Sequence, residues 1–190
     1  MKKPSKIQLA TAKKTWWVPA SFLYVMLFGT AWCAEQKTAD KFNATEDNED
    51  RVHETIHIRQ AVSKSDSWLL YYLEYCWEWI CNIPLIFVKW YAAYKFMPME
   101  IEAYGRQDEP NYIWSSSSSN PVNDNCYGRE DNPNYIDFNE CTGWRTIKKD
   151  YPLSKRKELA KEWYNGIDEE TGYPWRYGSF NKFIRKYFDF

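Results

Sequence analysis

The sequence predicts an α+β chain that is mainly helical, with a small strand element near the amino terminus and an irregular carboxy-terminal extension. Three observations predict it. A capped helix at 51–64 is followed by a long apolar-periodic run, "WLLYYLEYCWEWICNIPLIFVKWYAAYKF" at 68–96. Residues 16–33 carry no charge and are rich in Val, Phe and Tyr, which favour extended backbone. Beyond residue 107 the chain turns polar, with "SSSSS" at 115–119 and many Asn and Asp residues.

The chain has 190 residues, enough for a substantial core in one domain. Lys plus Arg number 25 and Asp plus Glu 26, so no strong overall field favours nucleic acid. Aromatic residues make up 19%, including 11 Trp and 15 Tyr. Rings in such number either fill a small core with large side chains or supply contact area to partner or particle surfaces. The five cysteines include no CxxC pair, which argues against both a disulfide framework and a thiolate zinc site. Cys76 and Cys81 read as buried small apolar residues, whereas Cys126 and Cys141 flank a polar loop and could be bridged in an oxidising compartment.

Residues 1–15 read as a mobile basic tail. The stretch 16–33 reads as strand, punctuated by Pro19 and Gly29. Its alternative is a signal peptide or membrane anchor, with Ala31 and Cys33 as small residues before a cleavage point. The acidic run "TEDNED" supplies carboxylates for the start of the helix over 51–64. In the long run that follows, Pro84 is expected to kink or divide the helix, and Glu74 and Glu78 weigh against a bilayer span. A helix over 98–107 has Pro98 in its first turn. Residues 108–190 form a polar insertion followed by helices at 153–167 and 178–190, packed on a core spanning 16–107. The clustered Asn and Asp lack the spacing of a calcium loop and read as turn chemistry.

The motif that carries chemistry is "VHETIHIRQ", residues 52–60, which contains both histidines of the chain. Four residues are about 1.1 helical turns, so His53 and His57 project from one face and their rings can share a metal. Glu54 points to one side of that pair, where a carboxylate reaches an attacking water without ligating the metal. Gln60 shares the histidine face and either orients a ring or substrate or is simply exposed; Arg59 reads as solvent-facing. A catalytic zinc usually takes three protein ligands. With no third histidine, a carboxylate is needed, and Glu100 and Glu102 in "EIEAY" are the candidates.

"HETIH" followed by "EIEAY" resembles the gluzincin group of zinc metallopeptidases, in which HExxH pairs with a downstream Glu-x-x-Ala-Asp or Glu-x-x-Ala-Asn. The fuller arrangement is similar to small HExIHxxQ proteins of Bacteroidota and their phages. There an apolar strand, the metal helix, a Trp/Tyr-rich helix and an E-x-E-A-Y segment follow in order. The resemblance covers roughly residues 16–107. It implies a zincin-like fold, Zn²⁺ as cofactor, His53, His57 and Glu100 as ligands, and Glu54 as general base. A strand beside the metal helix, on which substrate backbone pairs, would come from residues 16–33, because 35–51 carry no strand signal. Tyr104 departs from the pattern, standing where the peptidases have Asp or Asn to support a histidine.

These readings lead to a zinc-dependent peptidase acting on a peptide or protein substrate. A second expectation is a non-catalytic, zinc-stabilised structural component of a phage particle, in contact with other particle proteins. A third is a membrane-anchored protein using the two apolar stretches. The first two place the chain in the cytoplasm or the particle. No nucleic-acid partner is expected.

Overall fold

The computed structural model describes residues 9–19, 24–63, 67–109, 112, 115–117, 120–121 and 143–188. Cys126 and Cys141 lie outside these residues, as does most of the Asn- and Asp-rich segment. The fold is α+β, mainly helical with a small amino-terminal sheet. Two compact units divide the chain: residues 1–71 with 106–141, and residues 72–105 with 142–190.

The first unit is built on a three-stranded sheet ordered β1 (Thr11–Lys14), β3 (Thr30–Cys33), β2 (Val25–Leu27). β1 runs parallel to β3, pairing Thr11 with Thr30 and Lys14 with Cys33, and β2 runs antiparallel to β3. Strands β2 and β3 come from the charge-free stretch. Phe28 and Gly29 connect them at φ 51° and 78°, the positive-φ pair whose twist matches a tight hairpin. The Phe28 ring packs edge-on against Trp68.

β1 arises from the segment expected to be a mobile tail, and its neighbours explain why it is held. Asn43 accepts a hydrogen bond from the Ala12 N–H and donates one to the Ala12 carbonyl, each at 2.9 Å. The Ala10 N–H donates to Thr55 Oγ1 at 2.9 Å, and Arg51 Nε donates to the Ala10 carbonyl at 3.0 Å. Backbone groups that would otherwise stay in water are thus satisfied by side chains from α1 (Gln36–Asn43) and α2 (Glu49–Ser63).

Helix α2 starts where Asn48 Oδ1 accepts from the N–H groups of Asp50 and Arg51, with Glu49 and Asp50 in the first turn. From Val52 to Val62 every residue except the half-buried Glu54 is buried. Arg59 is among them, against the solvent-facing expectation. Its guanidinium donates to the Tyr112 carbonyl and lies 4.3 Å from the Tyr112 ring centre, a pairing that compensates burial of the charge.

Helix α3 (Trp68–Cys81) opens the run that Pro84 divides: a 3-10 turn at Ile83–Phe87 follows it, then the short α4 (Ala92–Lys95) and α5 (Pro98–Arg106). The second unit adds α6 (Gly143–Asp150), α7 (Leu153–Asn165) and α8 (Phe180–Tyr187). Its core is aromatic: Phe96, Trp163, Trp175, Phe180 and Phe183 pack around Leu85, Ile101 and Ile184, mostly edge to face. Large rings therefore do fill a small core. They also remain on the surface, where Trp77, Phe87, Trp90 and Tyr173 are exposed. Cys76 is exposed as well and Cys81 half-buried, so neither is the core residue its apolar context suggested. No helix among the described residues is long and apolar enough to cross a membrane.

Candidate metal centre

The one-turn spacing of His53 and His57 has the expected consequence. Their rings meet edge to face with centroids 5.0 Å apart, and the two Nε2 atoms stand 3.3 Å from each other. Both residues are buried, at 7% and 5% exposure. Gln60, buried rather than exposed, completes the face: its Oε1 lies 2.9 Å from His57 Nδ1. An amide oxygen only accepts, so this contact calls for the proton on Nδ1, and in the neutral ring Nε2 is then the lone-pair nitrogen on the His53 side. That ring-orienting partner is what a histidine ligand to a metal ordinarily has on its other nitrogen.

Two nitrogens on one zinc, at bond lengths of about 2.0–2.1 Å and a tetrahedral angle, stand about 3.3 Å apart. The Nε2 pair already has this separation. The donor geometry therefore fits a metal without rearrangement of α2.

Glu100 is fully buried on α5, and the Tyr75 hydroxyl donates to its Oε1 at 2.6 Å. One donor atom from each of His53, His57 and Glu100 lies within 4.8 Å of the other two, a buried group that can hold a metal ion. Two imidazoles and one carboxylate form the donor set of a His₂Glu zinc site. The neighbouring candidate, Glu102, is engaged elsewhere: its carboxylate accepts from the Trp144 N–H at 3.1 Å, in the first turn of α6. Two residues apart on a helix differ by about 200° in direction, which separates the two glutamates.

Glu54 is half-buried beside His53. Tyr24, packed on Phe42, has its hydroxyl pushed up to about 12, first by burial and then by negative groups that include Asp50 and Glu54. It stays a neutral donor at ordinary pH. Tyr104 packs edge-on against Phe180 at 5.0 Å, with the Lys95 ammonium 5.3 Å from its ring centre. Burial holds Lys95 below the usual lysine range, and the Glu100 charge opposes that shift.

Sequence reasoning missed Tyr75 as the partner of Glu100. The available signal was its position three residues before Glu78 and four after Tyr71, on the buried side of α3. It also left Gln60 undecided, because a glutamine inside a polar helix gives no periodic cue. Comparison with known proteins returns no matching family model, no matching curated protein and no matching solved structure.

Proposed function

We propose that this protein is a zinc-dependent metallopeptidase of gluzincin-like type, with His53, His57 and Glu100 holding Zn²⁺ and Glu54 as the general base. The observation that carries the proposal is the buried three-donor group, supported by the Nε2 separation of 3.3 Å and the Gln60 contact that sets the His57 tautomer. Bound there, zinc supplies a Lewis acid that brings the pKa of water towards about 7. Glu54 takes a proton from the attacking water and returns it to the departing amine of the peptide. Gln60 holds the His57 ring in register, and Tyr75 fixes one carboxylate oxygen of Glu100. The substrate is a peptide or protein, and its backbone has the small sheet as a surface to pair with.

A second reading keeps the metal and drops the chemistry: a zinc-stabilised structural component, such as a part of a phage particle. The depth of the site favours it, since His53, His57 and Glu100 are all under 10% exposed and structural zinc sites are closed. Replacing Glu54 by Gln separates the two. The variant keeps its size and leaves all three ligands in place, so zinc content and helicity are retained. Peptide-library hydrolysis falls by about 10²-fold or more, the usual contribution of a positioned acid–base group. A zinc-loaded wild type that cleaves nothing sinks the peptidase reading in favour of the structural one.

A further inference from the structure

Helix α3 is inside out. Its charged residues, Glu74 and Glu78, turn inward, Glu78 to 1% exposure, and Lys148 pairs with both of them. Tyr71 and Tyr75 share that inner side, Tyr71 buried and Tyr75 donating to Glu100. The outward side has no charge at all. Leu69, Leu73, Cys76 and Ile80 run along it, flanked by Leu70 and Trp77, and all six are exposed. A surface helix of a self-sufficient domain shows the reverse arrangement.

The spacing of these residues is informative. Positions 69, 73, 76 and 80 advance by four, three and four, the alternation that sets knobs into holes between paired helices. Phe87 and Trp90, 89% and 73% exposed, follow in the chain past the end of the helix. At roughly 150–250 Å² for each aromatic and somewhat less for each aliphatic side chain, scaled by their exposure, these eight residues leave about 800 Å² of apolar surface. The largest apolar patch of a typical monomer is about 300–600 Å², whereas a stable interface takes about 800 Å² from each partner.

We propose that the outward face of α3 is a self-association surface on which a second copy of this chain docks its own α3. An uncharged face with four-three spacing requires a partner with the same spacing and no charge to desolvate. A second copy supplies both, and a two-fold axis makes the contact self-complementary. A bilayer surface is a poorer match, because interfacial helices back their apolar face with Lys and Arg. α3 contains neither. Trp77, near the middle of the face, is the residue type that dominates such contacts.

Sedimentation of the full-length chain across micromolar concentrations, with and without anionic vesicles, tests this. The wild type is expected to sediment as a dimer and to stay off the vesicles. Leu73→Glu and Trp77→Glu, both at exposed positions, are expected to weaken association at least tenfold while far-UV circular dichroism is unchanged. A third variant, Leu69→Lys, serves if either glutamate variant loses helicity. A wild type that is monomeric throughout, that binds vesicles as a monomer, or whose dimer survives these substitutions overturns the proposal.

Discussion

Helices α2 and α3 follow one another in the chain and break the ordinary surface–core pattern in opposite ways. α2 is polar and almost wholly buried, with His53, Thr55, His57, Arg59 and Gln60 all under 10% exposed. α3 is apolar and presents Leu69, Leu73, Trp77 and Ile80 to solvent. Burying polar groups costs free energy unless each finds a partner, and exposing large apolar groups forgoes the main driving force of folding. The two helices therefore leave different needs. Under α3 the buried polar groups are satisfied within the chain: Lys148 pairs with Glu78, and beyond the helix end Arg156 donates to Asn82 Oδ1 and to the carbonyls of Phe96 and Tyr151. On α2, Gln60 fixes one side of the His57 ring, and the facing lone-pair position is the one assigned to a metal.

If that contrast holds, damage to the two regions has different signatures. The largest stability effect is expected at Arg156. Arg156→Ala leaves the Asn82 side chain and two carbonyls without their donor in a buried place, and each hydrogen bond to a charged group contributes about 1.5–3 kcal/mol. Urea unfolding should show a loss of about 3 kcal/mol or more, equal with and without chelator. A loss that vanishes when the metal is removed would break the separation of the two regions.

Gln60→Leu probes the other helix. It keeps the volume near that of Gln and removes the acceptor from His57 Nδ1. Ring-orienting partners of this kind are commonly worth about 10–100-fold in metal affinity. Competition with a chromophoric chelator should show that weakening, and urea unfolding of the metal-free chain a loss of about 1–3 kcal/mol, because the buried His57 Nδ1–H loses this acceptor. Unchanged affinity would mean the Gln60 contact is incidental.

The smallest effect lies in the second unit, at Asp168. Its carboxyl is held below the usual range chiefly by the hydrogen bond from Lys182, at 2.8 Å, against the opposing effect of burial. A depressed folded-state pKa means the unfolded chain takes up the proton first. The stabilisation is then present above the ordinary value of 3.8 and is lost as pH falls from there through the folded-state value. Asp168→Asn should remove this part of the acid slope in thermal unfolding. An unchanged slope would show that the ion pair contributes nothing measurable.

Much of the architecture was legible in the chain because strong local signals agreed with the packing. The helix expected at 51–64 is found at Glu49–Ser63, its start moved forward by the Asn48 cap. Pro84 ends the long run as its missing N–H and ring require. The His53 and His57 pairing follows from helix geometry alone. What could not be read depends on neighbours distant in sequence. Thr11–Lys14 carries two lysines and no apolar alternation, yet it is a strand because Asn43, Thr55 and Arg51 satisfy the adjoining backbone. Arg59 is buried because Tyr112, 53 residues later, accepts its hydrogen bond. Cys76 sits in an apolar segment whose exposed side local pattern cannot distinguish from its buried one.

The proposed metal site of His53, His57 and Glu100 would explain why α2 is polar on its buried side. Elemental analysis of the purified full-length chain addresses it most directly, on the wild type and on His53→Ala, His57→Ala, Glu100→Ala and Glu102→Ala. The expected result is about one zinc per wild-type chain, as suits two imidazoles and a carboxylate. The two histidine variants and Glu100→Ala should lose most of it, and Glu102→Ala should retain it. Negligible zinc in every sample, or loss at Glu102 with retention at Glu100, would rule out this ligand set.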